Sequence, residues 1–215
     1  MPTILTFGDS NTHGTPPIVD PAAYDRFGSD VRWPPLMARA LGWDLIEEGL
    51  PGRTAQFCDP IMGPHMNGQA GLRIALESHG PIDLLVIMLG TNDMKPRFCA
   101  TPEAVMGGIA GLLDIAQGPE MQARHAGFRV LLICPPPVVE VGPIKDEFYG
   151  GAAKSQALPP LYAGLAAARG CGFLDAGGVI AVSPIDGVHF DAATHAVLAV
   201  AVSQAVREMG CGGKA

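Results

Sequence analysis

The chain reads as an α/β protein of three layers, α/β/α, with a flavodoxin-like parallel sheet at its centre. Apolar, strand-like runs alternate with helical stretches along its whole length. One run, Asp83–Leu89, is continuously apolar after its first residue, the pattern of a strand buried on both faces of a parallel sheet. No linker, repeat or low-complexity stretch divides the 215 residues. That length suits one domain spanning 1–215.

Each element follows from local chemistry. Thr3–Phe7 is a short apolar run that ends at Gly8-Asp9-Ser10-Asn11, and a loop rich in Pro and Gly follows through Asp30. Trp33–Leu41 is expected to be a helix and Asp44–Glu48 a short strand. Gly49–Gly68 is expected to be irregular. Asn67 can cap a helix over about Gln69–His79, because its side chain accepts from a free N–H of the first turn. Asp83–Leu89 ends at Gly90-Thr91-Asn92-Asp93. Thr101-Pro102-Glu103 sets a cap residue before a first-turn proline and opens a helix to about Ile115. Phe128–Cys134 is another apolar strand, stopped by Pro135-Pro136-Pro137. Residues 138–152 are expected to be loop, Ala153–Arg169 one helix, and Gly172–Asp175 a brief strand. Asp191 caps a last helix, Ala192–Met209. This alternation implies parallel strands joined by crossover helices on both faces.

Composition narrows the function. Lys plus Arg number 14 and Asp plus Glu 21, a net charge of −7. An acidic chain without a basic run argues against nucleic acid or an anionic membrane as partner. Hydrophobic residues make up 48% of the chain and charged residues 16%. The first figure excludes disorder. The second lies well under the average of about 25% and points to surface covered by partner subunits, so a homo-oligomer is expected. The five cysteines (Cys58, Cys99, Cys134, Cys171 and Cys211) form no CxxC pair. They read as reduced thiols of a cytoplasmic protein. Met1–Ser10 has no basic and then apolar leader pattern. The longest apolar runs, Leu84–Leu89 and Ala196–Val202, fall far short of the ~18 residues of a membrane span.

Ligands of open parallel sheets bind beyond the C-terminal ends of the strands. Four loops fall there: Gly8-Asp9-Ser10-Asn11, Gly49-Leu50-Pro51-Gly52-Arg53, Gly90-Thr91-Asn92-Asp93 and Asp186-Gly187-Val188-His189. Together they supply a hydroxyl, a glycine N–H, a side-chain amide and an Asp/His pair, the parts of a serine hydrolase. A serine hydroxyl needs a base to take its proton as it attacks, and imidazole titrates near neutrality. A carboxylate holds the imidazole in the right tautomer. The oxyanion of the tetrahedral intermediate needs donors already aimed at it. The N–H groups of Ser10 and Gly52 and the amide of Asn92 are candidates.

These four blocks, in order from residue 8 to residue 189, resemble the GDSL-type or SGNH serine esterases. Block one has Asn11 where the family name has Leu. The resemblance implies that Ser10 is the nucleophile, His189 the general base and acid, and Asp186 the group that orients His189. It implies an oxyanion hole of Ser10, Gly52 and Asn92, and no cofactor or metal. Asp30-Val31-Arg32-Trp33, Glu47-Glu48-Gly49-Leu50, Arg53-Thr54 and Ile87–Asp93 further resemble small bacterial arylesterases. Those are often homo-octamers, and some transfer acyl groups to alcohols or peroxide. The present chain has His13 where their best-known members carry Trp, and Gly52 where some carry Ala. Both positions bear on the acyl pocket.

The expected activity is therefore hydrolysis of short-chain acyl esters, acetyl or aryl, through an acyl-enzyme on Ser10. Acyl transfer to alcohols or peroxide is a possible extension. Asn11, His13 and Arg53 are candidate substrate contacts, and Arg97 a candidate substrate or subunit contact. Carbohydrate acetylesterase and thioesterase are alternatives with the same mechanism. A non-enzymatic alternative makes Gly8–Gly14 the cradle of a phosphorylated ligand in a flavodoxin-like module. That loop lacks GxxxxGK[ST] and GxGxxG. Asp93 reads as a turn residue, Cys134 as core packing, and the six histidines show no metal-ligand spacing.

Overall fold

Three runs too apolar to face water on either side form the centre of a five-stranded sheet. They are β1 (Thr3–Gly8), β3 (Leu84–Met88) and β4 (Arg129–Cys134). The edges are β2 (Asp44–Gly49) and β5 (Gly172–Asp175), which are only partly buried. The structure, a computed structural model, describes residues 1–210. Cys211 and the last four positions of the expected domain lie outside the described residues. The strand order is β2-β1-β3-β4-β5 and every pairing is parallel. Gly8 pairs with both Gly49 and Met88, so β1, β2 and β3 end level with one another.

The helices are α1 (Ser10–His13), α2 (Trp33–Leu41), α3 (Gly68–Ser78), α4 (Pro102–Ala116), α5 (Pro119–Arg124), α6 (Gly151–Gln156), α7 (Leu158–Arg169) and α8 (Ala192–Glu208). Side chains alternate across a strand, which splits β3 between two cores. Leu85 and Ile87 pack with Leu72 and Leu76 of α3, Ile109 and Leu112 of α4, and Leu158 and Tyr162 of α7. Leu84, Val86 and Met88 pack with Trp33 and Met37 of α2 and Leu198 and Val202 of α8. No helix of the described residues is long and apolar enough to cross a membrane.

The cap residues act as their chemistry predicts. Asn67 accepts from the N–H of Gln69, Thr101 from that of Ala104, and Asp191 from that of Thr194. The stretch expected as one helix over Ala153–Arg169 is two helices instead. Ala157 ends α6 and begins α7, because Pro159 and Pro160 lack N–H groups and fit only the first turn of a new helix. The short α5 was not expected; Pro119 starts it directly after Gly118. Residues 138–152 hold a 3₁₀ turn, Lys145–Phe148, and Gly49–Gly68 holds another, Pro64–Met66.

The core also reaches the ends of the strands. Tyr162 is fully buried, and its hydroxyl donates to the carbonyl of Leu89 at 3.0 Å, just beyond β3. Tyr162→Phe leaves that carbonyl without its donor and should lower the unfolding free energy by about 1–3 kcal/mol. A urea titration checks this; an unchanged midpoint and slope would show that the bond contributes nothing net.

Candidate active site

The nucleophile loop is a tight turn off the end of β1. Asp9 caps α1, its Oδ1 accepting from the N–H of Asn11 at 2.9 Å. The N–H groups of Thr12 and His13 bond to the carbonyl of Asp9, and that of Gly14 to the carbonyl of Ser10. This close turn requires two glycines. A Cβ on Gly8 would lie 2.0 Å from Thr12 Oγ1, and one on Gly49 2.3 Å from the His13 nitrogen. Among the described residues, the Ser10 N–H is the one backbone donor of residues 10–14 with no acceptor. A phosphate cradle needs several free N–H groups converging, so the turn does not fit the phosphate-binding alternative.

Ser10, His189 and Asp186 form a hydrogen-bonded series. Ser10 Oγ is 3.0 Å from His189 Nε2, and His189 Nδ1 is 2.6 Å from Asp186 Oδ2. With Nδ1–H directed at the carboxylate, Nε2 is left to accept from the serine hydroxyl. All three are buried. Asp186 Oδ1 also accepts from the N–H groups of Val188 (3.0 Å) and His189 (2.9 Å), and Oδ2 from that of Ile18 at 2.6 Å. Burial pushes the Asp186 carboxyl up, but the His189 ring and these N–H groups outweigh it and hold the group below its ordinary value. Asp186 thus stays ionised beside the imidazole.

The other expected oxyanion donors lie on the loops after β2 and β3, strands that end level with β1. Gly52 is buried with φ +89°, a left-handed conformation that favours glycine. Like that of Ser10, its N–H has no acceptor among the described residues. Asn92 Nδ2 donates to the Arg53 carbonyl at 3.1 Å, which fixes the amide and leaves its second hydrogen available.

The three candidate substrate contacts fare differently. Arg53 is turned towards the strand ends. Its Nη1 donates to the carbonyls of Gly8 (3.1 Å) and Glu48, its guanidinium lies 4.1 Å over the Phe7 ring, and Nη2 is 3.8 Å from Glu48. Burial lowers its pKa to about 10. Asn11 is also turned inward. Its Nδ2 donates to the Val188 carbonyl at 3.1 Å and its own carbonyl accepts from Trp33 Nε1 at 3.1 Å. It therefore ties the nucleophile turn to the loop bearing His189. His13 is half-buried at the end of α1, with Nε2 3.0 Å from the exposed Tyr24 hydroxyl. Burial, with Arg26 adding to it, lowers its pKa.

Sequence reasoning missed several supports. The Ile18 N–H is a backbone group and carries no residue-type signal. Asp93, expected as a turn residue, is fully buried and both its oxygens accept from the Ala55 N–H at 2.9 Å. Arg97 contacts Asp59 (3.0 Å) and Glu147 (3.6 Å), joining the loops at 55–66 and 138–152. A cavity of about 510 Å³ lined by Gln117, Arg129 and Cys171, among others, lies at the opposite, N-terminal ends of β4 and β5 and shares no residue with the triad.

Two buried acids beside the triad make the stability pH-dependent. Burial, with repulsion from Asp9, pushes Asp93 up to about 7; burial pushes Asp9 up to about 6. A carboxyl raised on folding binds more protons in the folded state, so stability falls as pH rises from its unfolded to its folded value. Relative to Asp93→Asn, the wild type should lose stability, on the order of a few kcal/mol, as pH rises from about 4 to above 7. Thermal melts of both proteins across that window test this; parallel curves would contradict it.

With the geometry in place, comparison with known proteins identifies the family. The profile described as GDSL-like Lipase/Acylhydrolase matches residues 6–197. Among curated proteins no sequence relative matched. The structure of the native M. smegmatis aryl esterase is 37% identical, with a TM-score of 0.90 over 97% of this chain and 99% of that one. Est24, a carbohydrate acetylesterase from Sinorhizobium meliloti, is 35% identical, with a TM-score of 0.91 over 97% of this chain and 100% of that one. The chain has the SGNH hydrolase fold, belongs to the GDSL-like lipase/acylhydrolase family, and is with that family a carboxylic ester hydrolase.

Proposed function

We propose that the chain hydrolyses short-chain acyl esters, acetyl and aryl esters foremost, through an acyl-enzyme on Ser10. The observation that carries this is the hydrogen-bonded line Ser10–His189–Asp186, and it is supported by N–H groups on Ser10 and Gly52 that have no acceptor among the described residues. Ser10 Oγ attacks the ester carbonyl carbon while its proton passes to His189 Nε2. The Ser10 and Gly52 N–H groups and the Asn92 amide receive the oxyanion. The intermediate collapses, the carbon–oxygen bond to the alcohol breaks, and His189 returns the proton to that alcohol. Water then repeats the steps and frees the acid. Where an alcohol or peroxide takes the place of water, the product is a new ester or a peracid.

The likeness to a carbohydrate acetylesterase supports acetylated sugars as a second substrate class. A panel of p-nitrophenyl acetate, aryl esters and peracetylated sugars ranks the classes by kcat/KM. A fluorophosphonate should add once to the folded protein, and peptide mapping should place the adduct on Ser10. Ser10→Ala should lose both the adduct and ester turnover; turnover at the wild-type rate in that variant would refute the mechanism. His189→Ala should lose several orders of magnitude in kcat, as removal of a triad base does.

We further propose a cytoplasmic homo-oligomer, an octamer being one form, of a single-domain chain. The low charge and the exposed Val19, Tyr24, Ile61 and Tyr149 on loops near the site support self-association. The four described cysteines are free, in keeping with a reducing compartment. Sedimentation equilibrium should give a multiple of 22.3 kDa; a mass of one chain would overturn the oligomer.

A further inference from the structure

We propose that Met62 determines which acyl chains the site accepts, by forming a movable wall against the oxyanion glycine. This rests on the acyl-enzyme reading above. At Gly52, the space where a side chain would project is already filled. A Cβ there would lie 2.6 Å from Met62 Cε, 2.7 Å from Met62 Sδ and 3.3 Å from Met66 Sδ. Two thioethers from the loop at 55–66 therefore meet at the residue whose N–H receives the oxyanion. They differ in freedom. Met66 is 4% exposed and belongs to the core, whereas Met62 is 40% exposed and borders solvent.

Met62 is held there by a hairpin of five residues. The N–H of Asp59 donates to the Gly63 carbonyl at 3.2 Å, and the N–H of Gly63 returns a bond to the Asp59 carbonyl at 2.8 Å. Asp59 Oδ1 accepts from the N–H groups of Ile61 (2.8 Å) and Met62 (3.0 Å). Its Oδ2 accepts from Arg97 Nε at 3.1 Å. The Asp59 side chain is 1% exposed, so this charge-assisted pair is shielded from water. Arg97 in turn approaches Glu147, which also accepts from Lys95 at 2.9 Å. The backbone of the hairpin is thus fixed, while the unbranched thioether at its tip retains its rotations.

The direction of the chemistry assigns the wall to the acyl side. The leaving alcohol must face His189 Nε2 to receive its proton, so the acyl group runs to the other side of the oxyanion. Gly52 and Met62 come from the loop after β2, and the three atoms nearest the Gly52 side-chain position belong to that loop and not to the Asp186–His189 loop. A thioether standing there leaves room for a short acyl group and must swing aside for a long one.

The test compares wild type, Met62→Ala and Met62→Trp. The readout is kcat/KM on p-nitrophenyl acetate, butyrate and octanoate, and on a series of acetates that differ only in the alcohol. The octanoate-to-acetate ratio should rise about tenfold or more in Met62→Ala and fall by a similar factor in Met62→Trp, the scale of a few methylenes gained or lost in an apolar pocket. The alcohol series should keep its order. Arg97→Ala, which frees the hairpin, should shift the acyl ratio in the direction of Met62→Ala. Ratios within twofold of wild type in both Met62 variants would overturn the proposal, and so would a change confined to the alcohol series. Fluorophosphonate labelling of Ser10 in the wild type separates the two readings. Labelled protein with unmoved ratios rejects the role of Met62 alone, whereas unlabelled folded protein rejects the acyl-enzyme itself.

Discussion

A single buried carboxylate organises the site. Asp186 is fully shielded from water, and an isolated charge in such a place would be untenable. It is tolerated because four donors converge on it: the His189 ring and the N–H groups of Ile18, Val188 and His189. Three of these are backbone groups, and they come from two segments more than 160 residues apart. Satisfying one charge therefore folds the loop after α1 against the loop before α8. The imidazole orientation follows from the same bonds, so the geometry of Ser10 and His189 is a consequence of electrostatic satisfaction rather than of side-chain packing alone.

The sheet supplies the second requirement, that the loops begin at a common level. Because Gly8 pairs with Gly49 on one side and Met88 on the other, the turns after β1, β2 and β3 start together. The absence of side chains at Gly8 and Gly49 then lets α1 fold back onto the strand ends. Asn11 completes the arrangement from within α1 by reaching the Val188 carbonyl, and Trp33 holds the Asn11 carbonyl from α2. The nucleophile turn is thus held by hydrogen bonds to two elements far apart in the chain, α2 and the loop before α8.

This explains which parts were legible in the sequence. The strands were, because continuous apolar runs such as Leu84–Met88 have few other uses. The capped helices were, because Asn67, Thr101 and Asp191 each mark a start by their own chemistry. The split at Ala157 was missed although Pro159 and Pro160 announce it, because the flanking alanines and leucines keep a helical pattern on both sides. At the site, the residues with reactive side chains stood out, and the structure brings Ser10, Asp186 and His189 together. Their supports did not. Ile18 contributes a main-chain N–H, which every residue but proline possesses. Arg53 has a side chain suited to a ligand, but stacking on Phe7 and the nearby carbonyls turn it inward. Only three-dimensional proximity distinguishes a charge aimed at substrate from one that closes the frame.

The three carboxylates around Ser10 show how burial alone fails to set protonation. Asp9, Asp93 and Asp186 are all nearly or fully inaccessible, yet Asp9 and Asp93 are pushed upward and Asp186 is held down. The difference is the partner. Asp93 faces backbone N–H groups but no cation, and burial with the like charge of Asp9 outweighs them, so a proton is its cheapest source of neutrality. Asp186 faces an imidazole that gains a positive charge during the reaction, and several N–H groups besides. A carboxyl kept neutral can brace a loop without opposing charge nearby, whereas one kept ionised can stabilise the imidazolium at the moment it forms. Placing acids of both kinds within one cluster lets the site hold a rigid frame and a responsive charge side by side.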